Sequence, residues 1–352
     1  MPDKRIARTF NGVPVAQTAP ANSNDSGPKT PDFDKAIFNQ DAPKLKELIG
    51  ELKLPKEQRE DFLTAELRKA CALVYHDAVN IEIIDALLDA GAKVNEGRGH
   101  DTSAFGVICQ SGDVELVRHL IRRGADVNAD VNDDRFGAAK PLHLACGRSQ
   151  DAAVVAELLD NRADPNAKGF FEQTPLHLVA AAPPRTRDGA GKMPIVDLLL
   201  GHGAKVNAID RSDQTPLFSL LTHQPDLKLA EKLIDSGASL KHVNRTDGSA
   251  LHLAAEKGLY EFVDLLIKKG APLLIKNTAG HTPLRHLKEQ QESLKKNEGS
   301  LGAGFNKNIP AASAIDFAKA EALLRFAEDN IRKRDVRNFV KHKWSQWKGP
   351  RN

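Results

Sequence analysis

The chain of 352 residues is 41% hydrophobic, 28% charged and only 5% aromatic, so alanine and leucine must supply most of the core, which favours packed helices over sheets. Its net charge of +3 excludes a protein whose whole surface is built to attract a polyanion. Three cysteines, Cys71, Cys109 and Cys146, exclude a disulfide framework and predict a reducing, cytoplasmic location.

The N-terminal region is predicted to be a disordered tail followed by a cap. Residues 1–31 place Pro14, Pro20 and Pro28 among Asn, Ser and Thr, and they bury too little apolar surface to fold. They hold no apolar export signal, and no stretch of the chain reaches the eighteen apolar residues of a membrane span. Residues 32–65 are predicted to form degenerate capping helices and then a charged connector, over 51–66.

A helix-end pattern recurs along the middle of the chain. It consists of an apolar run, then Gly-Ala, and often Val-Asn, as in LLDAGAKVN. Successive copies follow one another at about 33 residues, with two longer steps in the middle of the series. The glycine suits the left-handed conformation that ends a helix. The residues at this position are Gly91, Gly124, Arg162, Gly203, Gly237 and Gly270.

A second string, of the type TPLHLV, lies between these copies. Thr174 can cap a helix with its hydroxyl, and Pro175 suits the first helical position. The copies begin at Ser103, Lys140, Thr174, Thr215, Ser249 and Thr282. Two unrelated strings thus share a period of about 33 residues, and both lengthen where a loop grows, which indicates a repeat array.

The strings TPLHLV, SALHLAA and GADVN resemble the ankyrin repeat, and the resemblance covers roughly residues 66–290. It implies an all-α solenoid of about six to seven helix-turn-helix repeats with β-turn fingers. Finger tips and inner helices would form its concave face. It also implies that His143, His177 and His252, which share one position, tie neighbouring repeats together by hydrogen bonds. Phe218 and Arg285 replace this histidine, as Arg162 replaces the usual glycine.

Two segments interrupt the array near its C-terminal end. The insertion PPRTRDGAGKM, residues 183–193, is predicted to be a flexible loop between two helices. Residues 291–330 are predicted to be an interrupted last repeat, in which a helix over 312–330 closes the stack. Residues 331–352 follow as a basic tail or helix.

No catalytic, cofactor or metal site is predicted. The string GAGK at 189–192 lacks both the first glycine and the Ser or Thr of a phosphate-binding loop. Histidines and cysteines do not have the spacing of metal ligands, since neither HExxH nor a pair of CxxC strings is present. Cys109 and Cys146 occupy a small buried position, where a reactive thiol is not expected.

Two neighbouring fingers carry aromatic residues where solvated loops should be polar. The finger at 131–139 offers Arg135 and Phe136, and the finger at 167–173 offers Phe170 and Phe171. Exposed aromatics on a rigid scaffold can become binding hot spots, whereas the alternative is that the rings fold back onto the next finger. We therefore predict a protein-binding site made of Arg135, Phe136, Phe170 and Phe171, with Arg211 and Arg245 at its rim.

Inner-helix residues Arg148, His223 and Glu256 are secondary candidates for contact with a partner. The main rival site is the basic segment 331–352, which interleaves cations with aromatics. It can pack on the last repeat, or it can contact a protein, an anionic membrane or a nucleic acid. Its predicted contact residues are Arg332, Lys333, Arg334, Arg337, Lys341, Lys343, Trp344 and Trp347.

These patterns predict a monomeric, non-enzymatic adaptor that binds another protein of unknown identity. The alternative is an adaptor tethered to an anionic membrane or a nucleic acid by its basic C-terminal segment. Ankyrin proteins that bacteria deliver into host cells carry N-terminal tails of the same kind, so delivery to a host cell is a further expectation for residues 1–31.

Overall fold

The computed structural model describes residues 31–75, 80–97, 102–133, 137–183, 191–246, 248–297 and 314–346. These residues form helices and two short antiparallel hairpins. The helices are α1 (Pro31–Phe38), α2 (Ala42–Glu51), α3 (Lys56–Ala72), α4 (Ile81–Asp89), α5 (Ala104–Ser111), α6 (Val114–Arg122), α7 (Pro141–Leu144), α8 (Ala152–Asp160), α9 (Pro175–Ala181), α10 (Lys192–Gly201), α11 (Pro216–His223), α12 (Leu227–Asp235), α13 (Ala250–Glu256), α14 (Tyr260–Lys268), α15 (Pro283–Asn297) and α16 (Ala314–Gln346). The hairpins are β1 (Val131–Asp133) with β2 (Gly137–Ala139), and β3 (Val243–Asn244) with β4 (Gly248–Ser249).

The helices form two stacked layers. Odd-numbered helices pack on one another as the inner layer, and even-numbered helices pack as the outer layer, so each consecutive pair is one repeat. Six pairs, α3/α4 to α13/α14, lie between the terminal pairs α1/α2 and α15/α16. The predicted all-α solenoid is therefore confirmed, and leucine, alanine, valine and isoleucine fill its continuous core.

Helix caps explain where the outer helices begin and end. Asp113 accepts a hydrogen bond from the amide of Leu116 at 3.0 Å, and Asp226 does the same for Leu229 at 3.1 Å. An aspartate in this place accepts a hydrogen bond from a free amide, and its negative charge interacts favourably with the positive end of the helix dipole. At the other end, Arg162 keeps the left-handed conformation of the glycine it replaces, with φ 71°, which costs about 1 kcal/mol.

The N-terminal cap differs from its prediction in one element. Residues 33–50 fall in the helix pair α1/α2, as expected, but the connector predicted over 51–66 is wrong from Lys56 onward, where α3 begins. Leu63 and Leu67 are fully buried there against the neighbouring helices. The prediction failed because charged residues dominate this helix and hide its short apolar stripe. Residues 1–30, most of the predicted disordered tail, lie outside the described part of the chain.

The insertion between α9 and α10 is anchored at its base. Residues 184–190 are outside the described part, but Lys192, assigned to the flexible loop, is the first residue of α10 and is 1% exposed. Its ammonium donates to the carbonyl oxygen of Ala182, and burial lowers its pKa. The side-chain amide of Gln150 also donates to the carbonyl oxygen of Pro183 at 2.9 Å.

The last repeat ends in one long helix. Lys288 of α15 lies 4.0 Å from Glu321 of α16, and Thr282, at the start of α15, lies 3.4 Å from Glu328. The two helices are therefore antiparallel, and α16 returns to the finger end of the stack. The predicted closing helix over 312–330 begins at Ala314 and continues to Gln346, so 331–346 is helical. Eighteen residues after Glu328 extend the helix by about 27 Å.

Within the described residues, no helix has both the length and the hydropathy that crossing a bilayer requires.

Candidate functional site

The predicted tip residues share one place in the repeat. Phe136, Phe170, Arg211 and Arg245 each lie four residues before the cap of an inner helix. Because the fingers stack in register, this spacing places Phe170, Arg211 and Arg245 in one row along the finger edge. Arg135 and Phe136 lie outside the described residues.

Phe170 and Phe171 are exposed at the tip of their finger. Their side chains are 42% and 51% exposed, and their ring centroids are 4.0 Å apart. They lie in a single 3-10 turn, Phe170–Glu172. The rings pack on each other and are not buried by the next finger. They therefore offer a contiguous apolar surface that a partner can desolvate.

The backbone of this tip is strained but well braced. Phe171 and Glu172 have φ values of 54° and 58°, a left-handed conformation that side chains disfavour. The amide of Gly169 donates to the carbonyl oxygen of Gln173 at 2.9 Å, and the amide of Arg211 donates to that of Phe171 at 2.8 Å. Lys168 pairs with Glu172 at 2.5 Å and lowers the pKa of that carboxyl. Strain held by neighbours in this way is common at binding sites.

Arg211 and Arg245 continue the row on the next two fingers. Both side chains are exposed, and neither makes an ion pair with any described residue. Arg211 adds a weaker electrostatic contribution to the lowered pKa of Glu172. The structure therefore brings Phe170, Phe171 and Arg211 together and places Arg245 one finger further along.

The repeated histidines tie adjacent repeats together. His177 is fully buried; its Nδ1 accepts from the amide of Thr174 at 3.2 Å and its Nε2 donates to the carbonyl oxygen of Gln214 at 3.0 Å. The Thr174 hydroxyl, which was predicted to cap the helix, lies 2.8 Å from the same Nδ1. His143 and His252 make the same bridges, to Gln173 and His281.

These bridges confirm the structural role implied for the three histidines. Both ring nitrogens of each imidazole are occupied, so no lone pair remains for a metal or a proton transfer. Burial lowers the pKa of all three, that of His143 to about 4. Each imidazole is therefore neutral at physiological pH and connects two repeats by hydrogen bonds.

Phe218 replaces the bridging histidine, and the next finger supplies a substitute. Phe218 is fully buried, and its ring meets the ring of His242 edge-on, with centroids 5.8 Å apart. His242 Nε2 in turn lies 2.8 Å from the carbonyl oxygen of Asp213. The bridge between these two repeats is thus made from the opposite side, which the sequence pattern alone did not reveal.

A second ladder, which sequence reasoning missed, uses the asparagine of the Val-Asn string. Asn207 donates through its amide to the carbonyl oxygen of Gly237 at 2.9 Å and accepts from the amide of Ser239 at 2.7 Å. Asn166 makes the same pair of bonds to Gly203 and Lys205. The periodic asparagine was the available signal, because a polar residue repeated at one position implies a repeated hydrogen bond.

The asparagine ladder ends at Lys241, and the next repeat shows why. Each asparagine accepts a hydrogen bond from a backbone amide of the next repeat. This amide belongs to the second residue after the glycine that ends the helix. After Gly270 this residue is Pro272, which has no N–H. An asparagine at 241 would lose half of its hydrogen bonding, so the position is free for another residue. Leu274 occupies the corresponding place one repeat later.

The remaining candidates have structural surroundings. His223 Nδ1 lies 3.0 Å from the carbonyl oxygen of Ser219 in its own helix, and Glu256 accepts from His286 at 3.1 Å. Arg148 is half-buried in a π-helical turn that follows α7. Cys71, Cys109 and Cys146 are fully buried, and desolvation raises the pKa of each thiol, that of Cys71 to about 12, so none is a ready nucleophile.

The basic C-terminal residues belong to α16. Arg332 and Lys333 are exposed, and Arg332 lies 3.5 Å from Glu328, one turn earlier. The helical backbone also includes Arg334, Arg337, Lys341, Lys343 and Trp344, whereas Trp347 lies outside the described residues.

Several known proteins are similar to this chain. Human ankyrin repeat and SOCS box protein 16 is 29% identical over 224 residues, which are 52% of this chain and 46% of that protein. The mouse B-cell lymphoma 3 protein homolog is 30% identical over 175 residues, which are 48% of this chain and 36% of that protein. The chain thus matches less than half of the length of either relative.

A solved structure and family profiles give the same result. The crystal structure of the human ASB11 ankyrin repeat domain matches with a TM-score of 0.53 and 23% identity, over 74% of this chain and 96% of that one, which is a likeness of fold. The profile "Ankyrin repeats (3 copies)" matches residues 67–169 and 142–242, and "Ankyrin repeat" matches 246–278. With more than half of its length matched by these profiles, the chain belongs to the ankyrin-repeat family.

Proposed function

We propose that this protein is a non-enzymatic adaptor that binds a partner protein on its finger edge, with Phe170 and Phe171 as anchors. The exposed, braced aromatic pair is the observation that carries this proposal. Ankyrin repeats are protein–protein interaction modules, which supports a protein as the partner. Arg211 and Arg245 continue the row, and the inner helices form the wall beside it.

The rigidity of the scaffold supports this function energetically. The histidine bridges and the asparagine ladder connect neighbouring fingers, so little conformational entropy is lost when a partner binds. The strained turn at Phe171 holds both rings in place before a partner arrives. Two desolvated phenyl rings can then contribute roughly 2 kcal/mol or more to affinity.

The test compares two double variants of the full chain. Partners captured on the wild-type protein are identified by mass spectrometry, and their affinity is measured. F170A/F171A is expected to weaken binding by at least about tenfold. The matched control, F38A/F326A, removes two phenyl rings that are even more exposed, at 74% and 70%, but lie away from the fingers. Unchanged affinity of F170A/F171A, with wild-type helicity, would remove these residues from the site.

The second candidate function is a tether to an anionic membrane or a nucleic acid through 331–352. The observation that favours it is the continuation of α16 beyond its contact with Thr282, as a helix that carries many cations. Such binding weakens steeply with salt. We expect a truncated chain, 1–330, to lose binding to phosphatidylserine vesicles or duplex DNA if the tether exists. Equal binding by both chains would exclude it.

We further propose that the protein is monomeric and works in a reducing compartment. Three buried free thiols are compatible with both features. Sedimentation of the purified chain tests the oligomeric state, and fractionation of cells that make the protein tests the compartment.

A further inference from the structure

The last three fingers carry exposed cations without partners. These cations make no ion pair or hydrogen bond through their side chains with any residue in the described part of the chain. They follow one another along the finger edge, beginning directly after the finger of Phe170 and Phe171. They are Lys205, Arg211, Lys241, Arg245 and Lys276.

The described carboxylates on the finger of Arg211 make other contacts. Asp210 is 7% exposed and accepts from the amides of Ser212 and Gln214 at 2.8 and 2.9 Å. Asp213 faces His242 at 3.7 Å. Glu172 pairs with Lys168, and Arg211 contributes only weakly to its lowered pKa. Asp247 lies outside the described residues. Among the described residues no carboxylate forms an ion pair with these cations, so they are exposed to a ligand.

Apolar side chains are interleaved with the cations. Among the described residues, eight large hydrophobic side chains are exposed, and half of them lie on the fingers after 162. Phe170 and Phe171 begin the series; Ile209 and Leu274 are 48% and 47% exposed. Leu274 and Lys241 stand at the position where the asparagine ladder has ended, so structural hydrogen bonding does not account for them.

The net charge of the fingers also changes along the stack. The finger between α6 and α7 contains Asp126, Asp130, Asp133 and Asp134 against Arg135 and Lys140, and Lys140 is paired with Asp130 at 2.7 Å. The later fingers are cationic, and beyond them α16 carries further cations past the finger end. Charge therefore changes from negative to positive along the direction of the repeats.

We propose that the finger edge from Lys168 to Lys276 binds an acidic segment of a partner polypeptide, in which apolar side chains alternate with carboxylates. This inference deepens the adaptor function and depends on it. Carboxylates of the segment pair with Arg211, Arg245 and their neighbouring lysines. Its apolar side chains contact the exposed rings and aliphatic side chains of the same edge.

A polypeptide fits this edge better than a nucleic acid does. Duplex DNA carries about one negative charge per 1.7 Å, and a uniform polyanion would meet the carboxylates of Asp164, Glu172 and Asp213, which lie on the fingers of Lys168 and Arg211. A flat anionic membrane meets the same repulsion. A polypeptide can place neutral, apolar residues at these points, and rim charges of this kind then set its association rate and register.

The experiment uses the full chain and four labelled probes of stated composition. They are a peptide of about 20 residues with alternating Asp, Glu, Leu and Phe, the same peptide with Asn and Gln for the acids, phosphatidylserine vesicles, and single-stranded DNA of about 20 nucleotides. We expect the acidic peptide to bind, and the neutral peptide to bind at least about tenfold more weakly. Binding should weaken as salt rises from about 50 to about 300 mM.

Two charge-reversal variants locate the binding. R211E/R245E should weaken acidic-peptide binding by at least about tenfold, whereas K46E/K228E, which reverses two exposed cations away from the fingers, should leave it within about twofold. Equal weakening by both variants would show general attraction only and would overturn the proposal, as would tighter binding of the vesicles or the DNA. A captured partner whose binding needs Phe170 and Phe171, but is unaffected by R211E/R245E, would overturn the acidic ligand and leave the adaptor function standing.

Discussion

The amide of Arg211 donates a hydrogen bond to the carbonyl oxygen of Phe171 at 2.8 Å, across two neighbouring fingers. This bond joins the aromatic and the cationic parts of the finger edge at their border. It also fixes the strained peptide of Phe171, since the left-handed backbone directs that carbonyl towards the next repeat. A partner that contacts both residues therefore meets one rigid unit.

Relief of this strain should separate stability from binding. Phe171→Asn places a residue that tolerates the left-handed conformation at φ 54°, so the free energy of unfolding should rise by up to about 1 kcal/mol while partner binding weakens. Phe170→Asn, at a position without positive φ, should weaken binding with no gain in stability. Guanidinium unfolding and a binding titration measure both quantities; a loss of stability in Phe171→Asn would contradict the argument.

The contribution of each asparagine of the ladder to the free energy of unfolding should be measurable with single substitutions. Asn207→Ala removes two inter-repeat hydrogen bonds and should lower the free energy of unfolding by about 1–2 kcal/mol. Lys241→Asn restores the repeated residue but faces Pro272, so it should change stability by less than about 0.5 kcal/mol. Denaturant unfolding of both variants tests this. A clear gain from Lys241→Asn would show that a missing amide does not end the ladder.

Stability should fall below neutral pH because of the buried histidines. Burial lowers the pKa of His143 from its ordinary value of 6.5 to about 4, so below pH 6.5 the unfolded chain binds a proton that the folded chain refuses. The contribution of His143 to the free energy of unfolding is complete above pH 6.5. It is lost as the pH falls towards 4, and the loss is on the order of 3 kcal/mol. Unfolding midpoints between pH 7.5 and 4.5, for wild type and His143→Gln, measure it; parallel curves would refute the assignment.

Restoring the usual histidine at position 218 should harm the protein. Phe218 is fully buried and packs against His242, which already bridges to Asp213. Phe218→His would bury a second imidazole without its usual space and should cost about 2–4 kcal/mol. Thermal unfolding, with His223→Ala as a control at an exposed histidine, gives the comparison. An unchanged Tm would mean that the pocket can adapt.

The sequence was sufficient for the repeats because the same period appears in two independent strings. The family resemblance was also sufficient for the role of His143, His177 and His252, because it implied hydrogen bonds between repeats at the position that these residues share. Sequence reasoning failed at α3, where the charges of the sequence KEQREDF conceal a buried stripe. It also failed at His242, because a bridge that occurs once leaves no periodic signal.

The candidate site was predictable in composition but not in geometry. Aromatic residues in two finger loops identified Phe170 and Phe171. No pattern in the sequence indicated the left-handed backbone at Phe171, whose carbonyl oxygen accepts a hydrogen bond from Arg211 on the next finger. The charge of Lys205 or Lys276 became informative only when neither side chain was found to pair with a described carboxylate.

The proline that ends the asparagine ladder determines where the array frays. In a one-dimensional stack each unit is held by its neighbours alone. The interface between repeats at Pro272 lacks the asparagine hydrogen bonds that Asn166 and Asn207 make between earlier repeats. When the protein is heated or pulled from its C-terminal end, the last helix pair should peel away first, and amides after Gly270 should exchange with solvent ahead of the rest.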